Sequence, residues 1–200
     1  MERIIAGIEK KTKVIRQQEK KIIAFHEMGH ALTGYAFNKN DTIHKVSIIP
    51  HGIGSMGHTI QHPNEDKYIM GEDDLFNKMT ILLGGRAAEF IIFKKYTTGA
   101  ADDLVKATQI AKEMVTRYGM SESLGHLSYD KGYGHRFYQD GGYPLDRNDY
   151  SEEAAKKIDQ EIYQLMSKAL EKPYHFLEQE KDLLIYSSNL HIEKETLNEN

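Results

Sequence analysis

Residues 26–30 read His-Glu-Met-Gly-His, the pattern H-E-x-x-H. On a helix, four residues turn about 400° and rise about 6 Å, so the two imidazoles stand nearly one above the other. Both can then reach one zinc ion from the same face, and Glu27 lies beside any water on that ion and can take its proton. The bland alternative is two surface histidines on an amphipathic helix. The neighbours argue against it: Ile22, His26, Gly29, His30 and Thr33 share a stripe flanked by Ile23 and Leu32. The pair is expected to point into the core or a cleft, where an unpaired imidazole is costly.

A catalytic zinc takes three protein ligands and keeps one position open. Cysteine is absent, so the ligands must come from His, Asp and Glu, and disulfide scaffolds and thiol nucleophiles are excluded. A pattern that adds Gly three and His six residues after the second His fails, because Thr33 and Ala36 stand there. A Glu on a downstream helix followed four residues later by Asp fits poorly, because Phe93 follows Glu89 at that spacing. Asp102 and Asp103 offer a further candidate. On a helix Asp102 shares a face with Lys106, Gln109 and Glu113, whereas Asp103 shares one with Ala107, Ile110 and Met114. Asp103 is therefore expected to point inward and Asp102 outward. Asp103 reads as a ligand or as an acid stabilising the N-terminus of its own helix.

The elements that would hold these residues follow from periodicity and turn signals. A helix is predicted over Gln18–Phe37, then a strand over Ile43–Ile49, a glycine-rich turn and a returning strand at Thr59–Gln61. A second helix is predicted over Glu72–Phe93, with Asp73 and Asp74 in its first turn and Gly84-Gly85 marking a close helix approach. Thr97-Thr98-Gly99 opens a third helix that runs to Tyr118 and stops at Gly119. Residues 128–150 lack a period and read as loop. Ser151 caps a fourth helix to about Leu170, and Pro173 separates it from a shorter one carrying Phe176, Leu177 and Leu184. The fold class expected is mainly α with a small β-hairpin after the H-E-x-x-H helix.

Composition sets the outer limits. Two hundred residues suit one domain. Lys plus Arg number 26 and Asp plus Glu 30, a net charge of −4, which disfavours a nucleic-acid partner. No apolar run approaches the roughly 20 residues of a membrane span, and Ile4–Ile8 runs into Glu9-Lys10-Lys11 rather than a signal-peptide core. The chain as given reads as soluble. His44, His51, His58 and His62 surround the glycine-rich turn and read as solvated loop residues more readily than as a second metal site. Glu89 reads as a partner for a ligand histidine or as an ion pair with Arg86.

Several ordered motifs resemble the peptidase domain of the FtsH/AAA membrane-anchored zinc metalloprotease family, peptidase family M41. They are Phe25–Ala31 (FHEMGHA), His44–Pro50 (HKVSIIP), Leu83–Glu89 (LGGRAAE), Thr97–Leu104 (TTGAADDL), Met114–Ser121 (MVTRYGMS), Leu124-Gly125 and Ile158–Glu161 (IDQE). The resemblance spans residues 3–185. It implies a helical zinc peptidase fold, with His26, His30 and Asp103 as metal ligands and Glu27 as the catalytic base. It also implies unfolded or membrane polypeptides as substrates, homo-hexamers, and a membrane anchor and ATP-binding domain ahead of the peptidase. The full-length protein would sit in a membrane with this domain in the cytoplasm, matrix or stroma. No G-x-x-x-x-G-K-[ST] phosphate loop occurs here, so ATP would act only through a domain outside this chain. Residues 1–17 are expected to be the remnant of that junction and 18–200 the peptidase domain, the chain being a piece of a longer protein. Met28 departs from the alanine usual in the family and Asp102 from the common asparagine; neither is a proposed ligand. The rival expectation is a non-catalytic assembly domain that keeps the fold, which would have no need of the base.

Overall fold

The computed structural model describes residues 16–38, 41–49, 58–63, 69–130 and 150–198. The elements run α1 (Gln17–Phe37), β1 (Asp41–Ser47), β2 (His58–Pro63), α2 (Glu72–Phe93), α3 (Ala101–Thr116, entered through a 3-10 turn at Thr98–Ala100), α4 (Glu152–Gln179), α5 (Lys181–Lys194) and β3 (Thr196–Asn198). The mainly α expectation holds. The junction segment lies outside the described residues except for Arg16 and Gln17. So do residues 131–149 of the segment read as loop, and the side chains of the four histidines around the turn.

α1 is the central element. Residues 23–31 are all buried, whichever way they face. A helix enclosed by neighbours on all sides has no polar face, so the single inward stripe read from its sequence understates its burial. Phe25, Met28 and Ala31 of α1 pack with Ala87, Ala88 and Ile91 of α2, Val46 of β1, Leu177 of α4 and Leu184 of α5. A second cluster joins α2 to α3 and α4 through Met79, Leu83, Ala107, Ala111, Met114 and Ala169.

α1 and α2 meet at glycines, as the Gly84-Gly85 pair predicts. A methyl group on Gly29 would stand 2.5 Å from the Gly84 carbonyl oxygen, and one on Gly84 would stand 2.5 Å from Thr33 Oγ1. Only bare backbone allows this approach.

The sheet has the order β2-β1-β3, antiparallel throughout, with a register shift between Ile43 and Lys45. β1 begins and ends two residues earlier than predicted, and β2 is longer, at His58–Pro63. β3 is unforeseen: three residues carry no detectable period, and what makes them a strand is pairing of Leu197 with Val46, far back in the chain. Glu195, at φ 60°, turns the chain out of α5 into it.

Two boundaries differ elsewhere. α3 ends at Thr116, and Gly119, at φ 64°, supplies the left-handed residue of its C-terminal turn. Pro173 does not separate two helices. It lies inside α4, buried beside Ala169 and Leu177, and the break falls instead at Glu180. A proline forfeits one helical hydrogen bond, and here the apolar face it belongs to keeps the helix intact across it. Ser151 caps α4 as predicted, its Oγ accepting from the Ala154 N–H at 3.2 Å.

Candidate metal centre

The site forms where α1, α2 and the start of α3 meet. His26 and His30 come from successive turns of α1, with Nε2 atoms 3.0 Å apart. Asp103, in the first turn of α3, brings Oδ2 to 3.2 Å from His26 Nε2 and 3.3 Å from His30 Nε2. Among the described residues these three are the one group of His, Asp and Glu side chains arranged to hold a metal ion. Asp102 is exposed and Asp103 half-buried, in keeping with their helix faces.

The outer nitrogen of each imidazole is tied down. His26 Nδ1–H donates to Glu89 Oε1 at 2.8 Å, and His30 Nδ1–H donates to the Ile81 carbonyl at 2.8 Å. That tautomer leaves both Nε2 lone pairs facing Asp103. Glu89 is itself fixed, accepting from the Thr97 N–H at 2.9 Å and from Thr97 Oγ1 at 3.1 Å. Of the two readings of Glu89, the structure has the histidine partner, whereas Arg86 lies over the Tyr96 ring at 3.9 Å. Glu89 sits on the far side of His26 from Asp103 and is not part of the three-atom group.

Gly85 completes the shape. A methyl group there would stand 2.6 Å from both His26 Cε1 and His30 Nε2, so the bare backbone of α2 is the floor on which the rings rest.

Three electron-rich atoms this close require a positive charge among them. A tetrahedral zinc with bonds of about 2.05 Å places its ligands about 3.3 Å apart. The observed separations of 3.0–3.3 Å fit that size. Without a metal the charge is a proton. Burial alone would lower the pKa of His26, but hydrogen bonds to Asp103 and Glu89 outweigh it and push it up to about 10. Burial likewise opposes ionisation of Asp103 and Glu89, yet the histidines, and Thr97 at Glu89, hold both carboxyls below their ordinary range.

Glu27 is buried beside the pair, and that burial raises its pKa against the opposing pull of His30, His26 and Thr59. Thr59 Oγ1, on β2, donates to Glu27 Oε2 at 2.9 Å. A carboxyl poised upward in this way is suited to receiving a proton and returning it.

Sequence reasoning did not reach Thr59, Thr97, Ile81 or the part played by Gly85. Ile81 acts through its main chain, which leaves no trace in residue type. The Gly84-Gly85 pair was the available signal for the floor.

Comparison with known proteins places the chain in a family. Peptidase family M41 matches residues 13–200. The chain is 43% identical over 98% of its length to the ATP-dependent zinc metalloprotease FtsH 4 of Synechocystis sp.. It is 44% identical over 100% of its length to FtsH 2 of Bdellovibrio bacteriovorus, and 39% identical over 98% to FtsH 3 of Petrotoga mobilis. It spans 30–32% of the length of these relatives. Among the described residues no helix is long and apolar enough to cross a membrane. On the extent of these matches, the chain belongs to peptidase family M41.

Proposed function

We propose that this chain is the zinc metallopeptidase domain of an ATP-dependent, membrane-anchored protease, and that it hydrolyses peptide bonds in unfolded polypeptides. The observation that carries the reading is the convergence of His26 Nε2, His30 Nε2 and Asp103 Oδ2 within 3.0–3.3 Å, with each imidazole's other nitrogen held by an acceptor. In this reading those three residues hold the zinc ion. A bound zinc supplies a water pKa near 7 and a polarised peptide carbonyl.

The chain's own residues do the rest. Glu27 accepts the proton of the attacking water and delivers it to the leaving amine. Glu89 and the Ile81 carbonyl keep the imidazoles in the ligating tautomer. β2 is the outer strand of the described sheet, paired there with β1, and its other edge is where an extended substrate strand would pair. Pairing through backbone groups would give the low sequence selectivity that degradation needs. Residues 1–17 form the junction to an ATPase domain, and the full-length protein is a membrane-anchored homo-hexamer. The retained base opposes the rival reading of a non-catalytic assembly domain.

Glu27→Gln tests this in the full-length protein. Zinc content per chain should be unchanged while ATP-dependent casein cleavage falls at least 100-fold. Cleavage at the parent rate would refute the role of Glu27.

A further inference from the structure

The general base of a peptidase must present one oxygen to the water, and a glutamate has three side-chain torsions with which to miss. Restraint must therefore come from outside the glutamate. Thr59 supplies it from another element: its hydroxyl donates to Glu27 Oε2 at 2.9 Å and lies 3.3 Å from the Glu27 carbonyl oxygen. A hydroxyl has one proton to give, so the closer carboxylate oxygen takes it and the main-chain oxygen stands as the alternative acceptor. Thr59 is itself held. It sits on β2 opposite Val46, a buried residue of the central strand, and its β-branched side chain is stiff about its first torsion.

We propose that Thr59 is a positioning residue for Glu27: its hydroxyl pins Oε2, so that Oε1 is the oxygen that takes the proton from water and returns it to the leaving amine. This rests on the reading of Glu27 as the base. It also makes β2, the outer strand of the described sheet, a structural part of the catalytic apparatus rather than a cover beside it.

The test compares Thr59→Val, Thr59→Ser and Glu27→Gln with the parent, all in the full-length protein. Zinc per chain, kcat and KM for a peptide substrate are the readouts. Valine keeps the branched shape and the strand preference and removes the hydroxyl; serine restores it. A hydrogen bond to a charged acceptor is lost in the valine variant, so kcat should fall roughly 10- to 100-fold with KM within about twofold and zinc content unchanged. Serine should recover kcat to within about threefold of the parent. Unchanged kcat in Thr59→Val, a loss expressed in KM, loss of zinc, or a serine variant as poor as the valine one would each overturn the positioning role. Full activity in Glu27→Gln would instead remove the base on which it rests, a failure distinct from the others.

Discussion

Gly85→Ala places a single methyl group where the site has no room. By helix propensity alone the change would stabilise α2 by about 1 kcal/mol. The added carbon, however, stands 2.6 Å from both His26 Cε1 and His30 Nε2, where ordinary contact begins at 3.4 Å, so one or both rings must retreat by about 0.8 Å. Retreat from α2 stretches the hydrogen bonds to Glu89 and the Ile81 carbonyl, which stand on that same helix one turn to either side of Gly85. Metal sites tolerate ligand displacements of about 0.2 Å, and loss of an orienting partner alone costs 10- to 100-fold in affinity. Zinc affinity should therefore fall at least 100-fold, with the net change in folding stability within about 2 kcal/mol because propensity offsets part of the overpacking. Gly84→Ala is the matched control. Its methyl group would meet Thr33 Oγ1 at 2.5 Å and the Gly29 carbonyl oxygen at 2.7 Å, contacts that hold the two helices rather than the rings. That variant should lose stability and bind zinc normally in its folded fraction. Competition with a chromophoric chelator reads the affinity, and urea unfolding of the metal-free proteins reads the stability. Parent-like zinc affinity in Gly85→Ala would refute the placement of the imidazoles against α2.

Two predictions concern protons. With the pKa of His26 pushed up to about 10 in the metal-free protein, zinc must displace its proton; between pH 7.5 and 9 affinity should rise about tenfold per pH unit and calorimetry in buffers of different ionisation heat should show one proton released, whereas pH-independent affinity would contradict this. His191 is fully buried beside the Ala24 and Val46 backbone, and burial, aided by the Lys20 charge, outweighs the opposing pull of that backbone and holds its pKa below the ordinary value. Its unfolded form takes up a proton near pH 6.5 that the folded form refuses, so stability should fall with pH below 6.5 by up to about 1.4 kcal/mol per unit. Denaturant unfolding of the metal-free parent and of His191→Leu between pH 5 and 6.5 reads this slope by difference, because His26 and Glu27, whose pKa values are raised, contribute equally to both proteins. The parent should lose more stability than His191→Leu as the pH falls, and parallel pH profiles would show another group to be responsible.

Local chemistry made much of the molecule legible, and distant contacts made the rest opaque. The start of α2 was readable because acids fill its first turn. The different burial of Asp102 and Asp103 was readable because a helix assigns neighbours to different faces. Pro173 was misread because its local penalty is fixed by residue type, while the burial that overrides it comes from helices elsewhere in the chain. β3 exists through pairing with β1, about 150 residues earlier, and nothing in Thr196–Asn198 announces it. The same holds at the site. The histidine pair is a spacing, hence visible; Thr59 reaches Glu27 across 32 residues and Ile81 lends only a carbonyl, so neither leaves a pattern to find. Gly85 was visible as a breaker inside a helix, but only the position of the rings explains what its missing side chain makes room for.

The metal centre depends on an inward carboxylate from α3 completing the group begun by two imidazoles of α1. Equilibrium zinc titration of the parent, Asp103→Ala and Asp102→Ala, side by side, addresses it most directly. The parent and Asp102→Ala should each bind one ion with the same affinity, and Asp103→Ala should bind at least 100-fold more weakly while remaining folded. Parent-like binding by Asp103→Ala, or equal weakening of the two variants, would contradict it.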